Sequence, residues 1–139
     1  MKALVNVIDY PDQNRVRELL AECMYPDDDK INRQIERYRT DPSLQLFGQF
    51  YQEELVGLIG ISIVKNGGAV LRHIAVKQHL RGQGIGQFMI NEFMQSSNIG
   101  KLEAETDRDA VGFYQKAGFD ITSLGEKYPG VERFLCILT

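Results

Sequence analysis

The chain has no tryptophan, two cysteines and four prolines in 139 residues. Cys23 and Cys136 are too few for a disulfide framework that would replace a hydrophobic core. The chain therefore reads as a cytoplasmic protein with buried thiols. No apolar run approaches the roughly 20 residues that cross a bilayer. The opening Met1–Asp9 breaks too early to be the apolar region of a signal peptide, so no membrane role is expected. An excess of positive charge is also missing. Sixteen Lys and Arg against nineteen Asp and Glu leave a net −3, and no fold-wide footprint for nucleic acid. His73, His79, Cys23 and Cys136 lack the close paired spacings of a zinc site, which predicts no metal. Neither cysteine lies in a turn resembling a nucleophile elbow.

What is present fits a folded domain of ordinary size, and residues 1–139 are expected to form a single one. A strand is expected around residues 2–8. Val16, Leu19, Leu20 and Cys23 fall at i, i+3, i+4 and i+7, which predicts a helix with Pro11 in its first turn and an end near Tyr25-Pro26. Asp27-Asp28-Asp29 suits the start of a second helix with Ile31, Ile35 and Tyr38 as its apolar stripe.

From Leu44 the period becomes strand-like. Runs at 44–51, 55–64 and 69–76 are separated by Gln52-Glu53-Glu54 and by Asn66-Gly67, a strong hairpin signal. A loop over 77–84 leads to a helix with Ile85, Phe88, Met89 and Phe93 on one face, ending near Gly100. A short strand at 102–106 precedes a helix capped by Asp107 or Asp109, with Ala110, Phe113, Tyr114 and Ala117 on one face. Gly118 closes that helix. Two strands, 119–124 and 131–138, finish the chain. This order predicts an α/β (α+β) protein, with one mixed, mostly antiparallel sheet of six to seven strands flanked by about four helices. Sheets of this kind pair edge strands across subunits, so a homodimer is one arrangement it allows.

Arg81-Gly82-Gln83-Gly84-Ile85-Gly86 carries the most chemistry. Its glycines let backbone N–H groups approach an anion, and the helix behind them adds unpaired donors and a partial positive charge. Arg81 supplies a cation, and His79 lies two residues before it. A dinucleotide fingerprint would need glycine where Gln87 stands, and the Gly-Lys-Ser/Thr of a Walker loop is missing.

Arg81-x-x-Gly84-x-Gly86 after Leu71–Val76 resembles the acetyl-CoA signature of the GCN5-related N-acetyltransferase (GNAT) superfamily. Asp107-Arg108-Asp109-Ala110-Val111-Gly112-Phe113-Tyr114, followed by Gly118-Phe119, resembles its second motif. The resemblance spans nearly the whole chain and implies the acyl-CoA N-acyltransferase fold. It implies acetyl-CoA as co-substrate, with the pantetheine arm pairing with backbone at Ile74, Ala75 and Val76. Pyrophosphate would lie on Arg81, Gly82, Gln83, Gly84, Ile85 and Gly86, and the Val76 N–H would face the thioester carbonyl. Tyr114 matches the tyrosine that protonates the departing thiolate. Asp107 replaces the usual asparagine and lacks its amide donor.

The expected activity is acetyl transfer to an amine, on a small molecule or a peptide, by direct attack in a ternary complex. An acetyl-CoA-binding sensor without turnover is the alternative. Glu103, Glu105 and His73 are the candidates for the base, with Glu105 ranked first because it lies nearest its strand's end.

Overall fold

The computed structural model describes residues 3–139, so the expected strand start at Lys2 lies outside the described residues. The elements are β1 (Val5–Asn6), α1 (Gln13–Ala21), α2 (Asp28–Thr40), β2 (Leu44–Tyr51), β3 (Glu54–Ile63) and β4 (Gly68–Val76). A 3-10 turn (Gln78–Leu80) then leads to α3 (Ile85–Ser96), β5 (Lys101–Asp107), α4 (Val111–Lys116), β6 (Asp120–Tyr128) and β7 (Val131–Leu138). Seven strands form one sheet in the order β1-β2-β3-β4-β5-β7-β6. Every pairing is antiparallel except that of β4 with β5. Among the described residues no helix is long and apolar enough to cross a membrane.

Local chemistry sets the boundaries. Asp27 caps α2 by accepting the Lys30 N–H at 3.1 Å, Asp28 and Asp29 fill its first turn, and Arg37 and Arg39 fill its last. Both sets of charges oppose the helix dipole, so the acidic run is accounted for by helix initiation. Pro11 precedes the α1 cap, Asp12, instead of entering the first turn. That helix also stops at Ala21, short of Pro26, because the Glu22 and Cys23 N–H groups turn back to the Leu19 and Leu20 carbonyls. Asn66 and Gly67 have φ of 65° and 74°, as a type I′ hairpin requires. Gly100 does not end α3, which stops at Ser96; its N–H donates to the Gly67 carbonyl at 2.8 Å and opens β5. Ala110 is exposed and lies before α4, not on its buried face.

Two apolar layers sit on opposite faces of the sheet. On one, Val56, Ile59, Ile61 and Leu71 pack with Met89, Ile90 and Phe93 of α3, Leu102 of β5 and Tyr114 of α4. On the other, Leu46, Leu55, Leu58 and Ala75 pack with Val16, Leu19 and Leu20 of α1 and Ile31, Ile35 and Tyr38 of α2. The central β3 is buried on both faces, which explains its almost unbroken apolar run.

Candidate active site

The parallel pair β4 and β5 holds only at Gly68↔Lys101, Ala69↔Leu102 and Val70↔Glu103, after which the strands part. The other edge of β4 stays on β3 as far as Gly57↔Val76. Where the strands part, the backbone groups of β4 alternate between the two sides. The Lys77 N–H donates to the Val56 carbonyl at 2.9 Å, which fixes the phase of the ladder. Ala75 is therefore hydrogen-bonded to Leu58, while Ile74 and Val76 aim their N–H and C=O groups into the gap. The expected backbone contact from Ala75 is thus corrected: its polar groups are used within the sheet.

The gap leads to the glycine loop. Gly82 and Gly84 have φ of 79° and 83°, a region that L side chains rarely adopt. The first N–H to bond within α3 is that of Phe88, to the Gly84 carbonyl at 2.9 Å. Among the described residues, the N–H groups of Gly82, Gln83, Gly84, Ile85, Gly86 and Gln87 have no acceptor. A continuous run of donors at a helix N-terminus is suited to a pyrophosphate. Gly86 has a second reason to lack a side chain, since a Cβ there would approach Phe113 Cε1 to 2.9 Å. Arg81 at the mouth is shared: its Nε donates to the Val76 carbonyl at 3.2 Å, and its guanidinium pairs with Glu22 at 3.0 Å. His79 lies exposed beside the same loop, in a cavity it lines with Arg15, Glu18, Glu22 and Lys77. The parted strands and these donors together accommodate an extended arm ending in a pyrophosphate. The residues present therefore fit a CoA thioester.

Tyr114 is buried between the rings of Phe113 and Phe119, with centroids 5.1 and 5.2 Å away. Burial pushes its pKa up to about 12, which keeps the phenol protonated at neutral pH. Its hydroxyl has no hydrogen-bond partner among the described residues, and the atom is not sealed from solvent. Asp107 accepts the Ala110 N–H at 3.0 Å, so its carboxylate caps the turn into α4.

The candidate bases differ sharply. Glu105 pairs with Lys127 at 2.9 Å and with Arg133 at 3.5 Å, and the Lys127 hydrogen bond holds its carboxyl below the usual range. That weakens it as a proton acceptor. Glu103 pairs with Lys101 at 3.0 Å. His73 instead lies on the α2 side of the sheet, because a bulge at Arg72 puts it opposite Gly60. Its Nδ1 is 2.6 Å from the Tyr38 hydroxyl. A Cβ on Gly60 would lie 2.7 Å from Tyr38 Cζ, so only glycine leaves room for the ring to reach across β3. Neither Tyr38 nor Gly60 carried a functional signal in the sequence. The Cys23 thiol, raised to about 11 chiefly by burial, interacts with the Ile74 backbone beside the same gap.

Burial pushes the His73 pKa down to about 4, and Arg72 and Arg37 add to the effect. The unfolded chain takes up this proton near pH 6.5, well before the folded chain does. Stability is therefore complete above about pH 6.5 and falls as pH drops through the window toward 4, by about 3 kcal/mol in all. Denaturant midpoints measured from pH 7 to 4 should fall more steeply for the wild type than for His73→Gln. Parallel curves would show that His73 is not a buried neutral imidazole.

Strand order, the parted β4–β5 pair and the glycine loop define the acyl-CoA N-acyltransferase fold. A family model described as an acetyltransferase (GNAT) domain matches residues 7–131. The chain belongs to the GNAT acetyltransferase family. It is 34% identical over 61 residues to an uncharacterized N-acetyltransferase of the lysA 3′ region of Bacillus methanolicus, covering 44% of this chain and 51% of that one. The chain thus matches about half the length of that curated relative. Among solved structures it is similar to aminoglycoside 6′-N-acetyltransferase complexed with coenzyme A, with a TM-score of 0.83 and 19% identity over 99% of this chain and 97% of that one. It is also similar to the ribosomal-protein-S18-alanine N-acetyltransferase of Escherichia coli, with a TM-score of 0.76 and 16% identity over 99% and 93%. Identities this low speak for the fold alone.

Proposed function

We propose that the protein, acting as one domain over residues 1–139, is an acetyl-CoA-dependent N-acetyltransferase. The observation that carries this reading is the parting of β4 from β5 directly upstream of a loop whose N–H groups from Gly82 to Gln87 lack acceptors among the described residues. The loop from Gly82 to Gly86 would hold the pyrophosphate, with Arg81 at its edge. Ile74 and Val76 would pair with the pantetheine arm. Val76 lies nearer the loop, so the far end of the arm reaches Ile74, and we move the oxyanion donor from Val76 to the Ile74 N–H.

A bound thioester supplies an activated acetyl group. An ammonium must lose a proton before its nitrogen can attack. His73, one residue before Ile74 at the gap, takes that proton on the ground of position, since its imidazole is suppressed by burial as the Glu105 carboxylate is by its two cations. The C–N bond then forms, the C–S bond breaks, Tyr114 donates its proton to the departing thiolate, and the second proton shed by the acylated nitrogen restores the phenol. No enzyme nucleophile is required.

Calorimetry with acetyl-CoA, paired with a thiol-release assay against an amine panel, tests the reading. Binding together with amine-dependent CoA release is the expected result. Binding without release would instead support a sensor, and no binding would remove both readings.

A further inference from the structure

Next to His73, on the α2 side of the sheet, is a cavity of about 350 Å³ lined by Gln34, Arg37, Leu44, Arg72 and His73. Its size falls at the lower end of small-molecule sites. Gln34 and Arg37 are one helical turn apart on α2, and Arg72 is the bulged residue of β4 immediately before His73. The charge in this cavity is of one sign. Arg15, Arg39, Arg81, Arg108 and Arg133 each have a carboxylate partner within 4 Å. Arg37 and Arg72 have none among the described residues. Asp41, at α2's end, accepts the Ser43 N–H and hydroxyl on Oδ1 at 2.9 and 2.7 Å and feels the charge of Arg37, but forms no ion pair with it within 4 Å. Arg17 and Arg33 likewise have no carboxylate within 4 Å among the described residues, but of these four arginines only Arg37 and Arg72 line the cavity.

We propose that this cavity anchors the acceptor, and that the acceptor is an amine bearing an acidic group, carboxylate or phosphate, gripped by Arg37 and Arg72 beside His73. The inference rests on the acetyltransferase reading above. Guanidinium groups pair bidentately with two oxygens of either acid, the planar carboxylate or the tetrahedral phosphate. Only His73 separates Arg72 from Ile74, so an acid held at the arginines keeps its amine close to the proton acceptor and to the gap. Bound there, the anion would offset the smaller, charge-based part of the His73 suppression, that of Arg72 and Arg37, while the larger part, burial, stays.

The test uses matched probes with saturating acetyl-CoA: L-amino acids against the amines left by their decarboxylation, and O-phosphoethanolamine against ethanolamine. Rates are corrected for the fraction of free amine, and products are read by mass spectrometry. The acidic member of at least one pair should have kcat/KM about 10- to 100-fold higher. The two arms show whether carboxylate or phosphate is preferred. In Arg37→Ala/Arg72→Ala the preference should collapse toward unity, mainly through KM, and the double lysine variant should restore part of it. Preference for the neutral amines, or a preference unaltered in the double variant, would overturn the proposal. So would acetylation of none of these amines by a protein that binds acetyl-CoA. Failure to bind acetyl-CoA at all would remove the acetyltransferase reading first, and this inference with it.

Discussion

Tyr114→Phe should lower kcat by about 10²- to 10⁴-fold while acetyl-CoA binds almost as before. The substitution is clean because the hydroxyl has no partner among the described residues, so its removal leaves no buried group unsatisfied. The ring, which carries the packing against Phe113 and Phe119, is retained. With a pKa pushed up to about 12, the phenol stays protonated across the neutral range and loses its proton only at strongly alkaline pH. Thiol release and calorimetry on the same preparation separate turnover from binding. Undiminished turnover in the Phe variant would remove Tyr114 as the acid. Equal losses of binding and rate would make it a packing residue.

Gly60→Ala should damage both stability and turnover, although it adds one methyl group. The new Cβ would stand 2.7 Å from Tyr38 Cζ, and Tyr38 is 1% exposed and packed in the α1–α2 apolar layer. Overpacking of this kind costs about 1 to 3 kcal/mol. A thermal melt should therefore drop by several degrees. Displacing the ring also breaks the 2.6 Å contact with His73, so the imidazole loses its fixed orientation. Tyr38→Phe separates the two effects, since it removes the contact and keeps the ring. It should cost activity without overpacking. A Gly60→Ala protein with unchanged melting temperature and rate would show that the ring does not depend on that space.

The parts of this architecture set by neighbouring residues were legible from the chain alone. Asn66-Gly67 requires positive φ on its own account, and the strand–glycine loop–helix passage from Leu71 to Phe93 can be read in one stretch. The aspartates at 27–29 likewise act on the helix they begin. The choice among Glu103, Glu105 and His73 was not legible, because the surroundings of Glu105 and His73 are assembled from distant segments. Glu105 lies closer to its strand's end than Glu103, but the cations that hold it are Lys127 and Arg133, brought in by β6 and β7. His73 is tied to Tyr38, 35 residues upstream, by way of a glycine on a third element. Ala75 was grouped with Ile74 and Val76 because proximity in sequence does not show which backbone groups the neighbouring strand consumes. The bulge at Arg72 has no local residue signature, yet it places an arginine and a histidine together at one cavity.

The brief parallel ladder between β4 and β5 also has a mechanical side. Within the sheet, β1 to β4 form one plate and β5 to β7 another, stitched together at a single short seam. The apolar layer under α3 and α4 spans both plates, so they are joined by packing more than by hydrogen bonds. Small rotations about such a seam would change the width of the gap while leaving each plate rigid. A ligand lying between the plates and touching both would act as a cross-brace. It would stiffen the assembly and stabilise the folded chain by about 2.7 kcal/mol at a hundredfold excess over its Kd.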